Sequence, residues 1–230
     1  MNALMIHGAG GGGWEWNVWS RVFRAAGLAV SAPDLQPAAS GLANTRLVDY
    51  LAQVRSSAVA LPSPRVLVGA SLGGLLALAN ADIADALVLV NPLPPSPWSA
   101  LLPVREKFPE VIPWRRDASL AGTRRALPDA DEAACLFAFR HWRDESGAVI
   151  EEAIAGVAVA PPSCPVLMIA SERDDEVPAS ASAVVAQAVS AEFLLLPGAS
   201  HVGPLCGREA AAVASRAVAF LNNLVLRVGN

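Results

Sequence analysis

Short apolar runs of strand length alternate along this chain with longer stretches in which apolar and polar positions recur at helical spacing. The apolar runs predict strands at roughly 3–7, 28–32, 65–70, 86–90, 165–170 and 192–196. The amphipathic stretches predict helices at roughly 16–26, 44–60, 72–80, 179–190 and 207–222. Such alternation is the signature of βαβ units, in which a parallel sheet is buried on both faces by its crossover helices. The rhythm breaks once, between Pro92 and Pro165. There Pro92, Pro94, Pro95, Pro97, Pro103, Pro109 and Pro113 forbid a long regular element at the start. Further on, Cys135, Leu136, Phe139 and Trp142 recur at helical spacing in Ala130–Glu145, and a second helix is expected over Gly147–Val159.

A chain of 230 residues with 53% hydrophobic residues has enough apolar material for one core, so a single domain over 1–230 with an insertion at about 92–163 is expected. No apolar run approaches the roughly 18 residues of a membrane span. With 17 basic against 21 acidic residues and Lys107 as its one lysine, the chain presents no field for nucleic acid or anionic lipid. The insertion carries both signs of charge together and reads as a solvated face. Cys135, Cys164 and Cys206 are odd in number and scattered, and Ala3-Leu4-Met5-Ile6 runs into His7-Gly8 without a basic leader. A cytoplasmic protein is the expectation.

The strongest chemical signal is Gly69-Ala70-Ser71-Leu72-Gly73-Gly74, a G-x-S-x-G between a predicted strand and a predicted helix. A serine on that tight turn is presented to substrate, and the N–H of Leu72 at the helix start favours a developing oxyanion. The competing reading is a serine that merely caps the helix. A serine nucleophile needs a base and a group to orient it. Downstream, Ser171-Glu172-Arg173-Asp174-Asp175-Glu176-Val177-Pro178 follows one predicted strand, and Pro197-Gly198-Ala199-Ser200-His201 follows the next. Of His7, His141 and His201, only His201 lies both after a strand and after a candidate acid. Asp174 and Asp175 are both open as that acid. Two rivals are weaker. Gly8-x-Gly10-x-x-Gly13 with Asp34 on the next strand matches a dinucleotide fingerprint, but Trp14-Glu15-Trp16 would crowd a pyrophosphate. The three histidines and three cysteines form no ligand-spaced cluster, so neither a metal nor a cofactor is expected.

In these motifs the chain resembles the α/β-hydrolase superfamily. Its acid loop often reads G-x-x-D-x-x-V-P; here Ser171 replaces the glycine while Asp174, Val177 and Pro178 fall in register, which implies Asp174 as the acid. Some members carry the acid one strand earlier, where this chain has Val90-Asn91-Pro92. His7-Gly8-Ala9-Gly10-Gly11-Gly12-Gly13-Trp14 is similar to the family's H-G-x-x-x-x-x-W block, which implies the Ala9 N–H as the second oxyanion donor beside that of Leu72. With Asp34-Leu35-Gln36-Pro37 after the second strand, the chain most resembles the plant methylesterase and hydroxynitrile lyase branch and its bacterial esterase relatives. Val202 follows His201 where the lyases carry lysine, which favours ester hydrolysis over cyanohydrin cleavage. The resemblance covers residues 3–93 and 164–222. It implies an α/β-hydrolase fold: a mostly parallel sheet of about six strands, starting at the family's third, helices on both faces, and a small helical lid at 92–163. It also implies Ser71, His201 and Asp174 acting on a small-molecule acyl substrate, and the apolar, mixed-charge composition of the insertion favours one of small to medium, uncharged type. Trp98, Trp114, Phe137 and Trp142 would line an apolar pocket under that lid, against the alternative that they only pack. A ligand-binding scaffold, or the same residues acting on a thioester, lactone, amide or carbon–carbon bond, are the alternative functions.

Overall fold

The computed structural model describes residues 1–228. Its strands are β1 (Asn2–Ile6), β2 (Ala29–Ser31), β3 (Arg65–Ala70), β4 (Ala86–Val90), β5 (Val111–Ile112), β6 (Glu145–Ser146), β7 (Val166–Ser171) and β8 (Glu192–Leu196). Its helices are α1 (Asn17–Ala25), α2 (Leu47–Val59), α3 (Leu72–Ala79), α4 (Leu120–Ala126), α5 (Glu132–His141), α6 (Gly147–Ala155), α7 (Ala179–Ala188), α8 (Gly203–Cys206) and α9 (Ala210–Val228). Six strands pair in parallel in the order β2-β1-β3-β4-β7-β8, while β5 and β6 form a separate antiparallel pair.

The sheet follows from its side chains. Every residue of Ala86-Leu87-Val88-Leu89-Val90 is buried, as a central strand covered on both faces requires. Alternate residues sort to opposite sides. Leu4, Ile6, Leu67, Leu87, Leu89 and Met168 pack with residues of α2, α3, α6 and α7 such as Val54, Leu75, Ile150 and Val185. Ala3, Met5, Val66, Val68, Val88 and Ile169 pack with residues of α1 and α9 such as Trp19, Phe23, Ala214 and Leu221. From β1 the chain goes to one neighbour, β2, and then back across to the other, β3. The loops after β1 and β3 therefore diverge at the carboxyl edge of the sheet, where open α/β sheets hold their ligands.

The insertion departs most from expectation. The helix expected over Ala130–Glu145 is shorter, because Asp131 caps its start through the Ala134 N–H (2.8 Å) and the chain leaves the helix after His141. Residues Glu145 and Ser146 instead pair with Ile112 and Val111 of the proline-rich part. The second helix ends at Ala155, short of Val159. Helix α4, capped by Ser119 through the Gly122 N–H, carries no apolar stripe that would announce it. The expected helix at 44–60 starts at Leu47, and that at 207–222 is α9 preceded by the short α8. Among the described residues no helix is long and apolar enough to cross a membrane.

Helix α3 begins almost on top of β1. A Cβ added at Gly73 would lie well inside contact distance of the Ile6 and His7 carbonyl oxygens, so only glycine lets the helix approach the strand end this closely. Gly73→Ala should cost at least about 1–3 kcal/mol in urea denaturation, the usual scale for forcing a methyl group into a packed site.

Candidate functional site

Ser71 sits between β3 and α3 at φ 51° and ψ −118°, a left-handed conformation that L side chains avoid. The surrounding backbone fixes it there. Its N–H donates to Val90 O (3.0 Å), and its carbonyl accepts from Gly74 N (3.0 Å), Leu75 N (3.3 Å) and Leu93 N (3.0 Å). The side chain is half-buried and faces a cavity. Leu72 opens α3, so its N–H has no partner within the helix.

His201 lies beyond β8, after a turn at Gly198. Its Nδ1 is 2.7 Å from Oδ2 of Asp174, whose side chain is fully buried. The other carboxylate oxygen, Oδ1, accepts from Glu176 N (2.9 Å) and Val177 N (2.8 Å). Asp175, one residue on, is exposed. The geometry therefore pairs Asp174 with His201. Arg173 N donates to Ala199 O (2.9 Å), which ties the two loops together. Burial alone lowers the His201 pKa, but the hydrogen bond and charge of Asp174, helped by Glu176 and Glu15, more than offset it and leave it raised above the ordinary histidine value.

Directly after β4 stands Asn91, buried at φ 44°. Its Nδ2 donates to His201 O (2.7 Å) and Ser171 Oγ (2.9 Å), while Oδ1 accepts from Ser171 N (2.8 Å). The histidine loop is thus anchored to the ends of β4 and β7. The signal for it in the sequence is a polar residue directly after a wholly apolar strand.

The loop after β1 brings Gly8 and Ala9 to the cavity beside Ser71 and His201. His7 is buried below it, taking the Leu35 N–H on Nε2 (2.9 Å) with Nδ1 2.7 Å from Gly8 O. Burial pushes its pKa down to about 4, so it is a neutral strut with its proton on Nδ1. Asp34 is exposed, but it accepts the Gly13 N–H (2.8 Å) and faces Arg143, so the acidic residue of the dinucleotide pattern already has partners within the protein. Gly10, at φ 68°, is held from both sides by the insertion: its N–H donates to Glu145 Oε2 (3.2 Å) and its carbonyl accepts from Arg143 N (2.8 Å). Glu145 is buried and also takes the Tyr50 hydroxyl and the Ser146 N–H on Oε1, each at 2.9 Å. Neither Asn91 nor Glu145 was among the candidate site residues in the sequence.

The cavity holds about 1160 Å³. Ser71, Gly8, Ala9 and His201 border it from the sheet side, and Trp114, Trp142, Phe108 and Ile150 from the insertion. Two of the four expected pocket aromatics are not on it. Trp98 packs half-buried against the core on the α2 and α3 side of the sheet. Phe137 is 41% exposed and stacks on His141, because α5 turns Cys135 and Ala138 inward instead. Among the described residues no group of three or more His, Cys, Asp or Glu could hold a metal ion.

Removing the Glu145 carboxylate would leave a buried hydroxyl and two backbone N–H groups without partners. Glu145→Ala should therefore destabilise the fold by about 3–5 kcal/mol in denaturant titration, and Glu145→Gln by clearly less, since an amide keeps one acceptor oxygen.

Among curated protein sequences none matches the chain significantly. Solved structures do. Metagenome-derived lipolytic enzymes described as LipS and LipT superpose at TM-score 0.71 with 22% identity, over 96% of this chain and 93% of that one. A methylesterase, MES16, from Arabidopsis gives 0.70 with 15% identity, over 98% of each chain. Tomato Methylketone Synthase I complexed with 2-tridecanone gives 0.74 with 17% identity, over 96% of this chain and 98% of that one. At these identities the likeness is one of fold. The profile of the Alpha/beta hydrolase family matches residues 3–216, nearly the whole chain, and the chain belongs to that family.

Proposed function

We propose that the protein is a serine hydrolase that cleaves a small to medium, largely apolar carboxylic ester through an acyl-enzyme. The observation that carries this reading is the meeting of three elements at one cavity: a strained Ser71 at a helix start, the Asp174-paired His201, and the Gly8-Ala9 loop. In this mechanism the Ser71 hydroxyl attacks the ester carbonyl while Nε2 of His201 takes its proton. Asp174 keeps the other proton on Nδ1 and stabilises the imidazolium. The N–H groups of Ala9 and Leu72 receive the oxyanion. His201 returns the proton to the departing alcohol, then activates the water that releases the acid.

The substrate class rests on the insertion, which acts as a lid over Ser71. Its Phe108, Trp114, Trp142 and Ile150 give the cavity an apolar wall. Esterases and lipolytic enzymes share this fold, and one relative is complexed with 2-tridecanone. Val202 after His201 keeps cyanohydrin cleavage out of the proposal. Cytoplasmic location belongs to the same reading and rests on the sequence alone.

Incubation with a small fluorophosphonate should add one adduct by intact mass to the wild type and none to Ser71→Ala; a folded wild type that stays unlabelled overturns the mechanism. Ser71→Ala should lower kcat on p-nitrophenyl esters by at least about 10³-fold. Asp174→Asn should lower it by roughly 10²–10⁴-fold, whereas Asp175→Asn should leave it near wild type. The proposed base must be neutral and its pKa is raised, so kcat/KM should fall as pH drops through a midpoint above 6.5. Trp142→Ala should shift the acyl-chain preference measured across an ester series, and Phe137→Ala should not.

A further inference from the structure

One carboxyl group at this cavity has no part in the mechanism above. Glu15 comes from the single turn of helix that follows the glycine run, and it is 5% exposed. It borders the same cavity as Ser71, Ala9 and His201. Its Oε2 accepts the Gly8 N–H at 3.1 Å, and the carboxyl lies flat against Gly11, where any Cβ would collide with it. The loop is therefore wrapped around an acid. A buried acid with one backbone donor is costly to keep charged, and an apolar side chain in its place would fill the same volume at no such cost. The glycine run meanwhile satisfies the turn geometry without needing a carboxylate.

We propose that Glu15 is a positioning residue of the Ser71–His201 site, holding the Gly8 end of the oxyanion loop and acting by its charge on the protonation of His201. The inference rests on the function proposed above. In the reaction His201 becomes an imidazolium as Ser71 loses its proton, and an anion on the neighbouring loop stabilises that state more than the resting one. The groups that bear on the pair are few. Glu15 faces His201 and the Cys206 thiol, whose own pKa burial drives up so that it stays protonated. His201 faces Asp174, Glu176 and Glu15. Arg105, Arg125, Arg173, Asp117, Asp129 and Asp175 border the wider cavity, and none hydrogen-bonds to Glu15 or His201. Burial raises the Glu15 carboxyl to about 7, with the Gly8 N–H and His201 pulling it partly back down. The charge of Glu15 thus raises the His201 pKa while that of His201 lowers the Glu15 pKa, so the two protonations are coupled.

Glu15→Gln separates charge from shape, because its side-chain oxygen still accepts from Gly8. The imidazole of His201 can be titrated by ¹H–¹⁵N NMR in the wild type and in the variant. In Glu15→Gln the His201 midpoint should be displaced to lower pH by at least about 0.3 units, the scale on which one unit charge acts through a high dielectric. The acid limb of kcat/KM on p-nitrophenyl acetate should move the same way, with kcat falling more than KM changes. Linkage is reciprocal, so in His201→Gln the ¹³C titration of the Glu15 carboxyl should move upward; this second measurement holds if Glu15→Gln fails to fold. Unchanged titration of His201 and Glu15 in the two variants would overturn the proposal. Because the NMR readout needs no turnover, coupled titration in a protein without esterase activity would refute the ester reading and leave the coupling standing.

Discussion

A parallel sheet buried on both faces leaves no place for a polar side chain until its strands end. In this protein β4 is apolar from Ala86 to Val90, and the first polar residue it permits is Asn91, whose amide fastens the histidine loop. Ser71 follows β3 under the same constraint, and Asp174 follows β7 by three residues. The chemistry is collected along one edge because the interior excludes it everywhere else. Since β1 and β3 carry the chain to opposite sides, that edge also opens where a ligand can enter.

Three buried carboxyl groups stand around this edge, and the number of hydrogen-bond donors each receives separates them. Glu145 takes a tyrosine hydroxyl and two backbone N–H groups. Asp174 takes two backbone N–H groups and the imidazole. Glu15 takes one N–H, and burial pushes it up to about 7. The first holds the fold together and the second orients a ring. The third, with a single donor, can change charge near neutrality.

What could be read in the sequence follows from how local the cause is. Ser71 and His201 were legible because a strand, a tight turn and a helix lie within a few residues of each. Asp174 needed the register of Val177 and Pro178 to separate it from Asp175, and the structure shows why that register matters: its Oδ1 takes the N–H of Val177 itself. Glu145 was not legible, because Gly10 and Tyr50, which it joins, lie 135 and 95 residues away in sequence. Helix α4 was missed because a seven-residue helix with a cap and no apolar face leaves no periodicity. Phe137 was misplaced for a related reason: with four aromatics near one another, spacing could not say which side of α5 would turn inward.

Among the ties between the insertion and the rest of the protein, two reach the loops around Ser71 and His201. Glu145 and Arg143 hold Gly10 of the first loop, and Asp129 accepts the Ser200 N–H at 2.6 Å beside His201. Suppose the segment over the sheet were exchanged for a foreign one to change the cavity. Such a graft would remove three struts of the candidate site along with a wall of the cavity. A chimera would keep Ser71, His201 and Asp174 and still lose the frame that aims them, unless residues 129, 143 and 145 travelled with the transplanted segment.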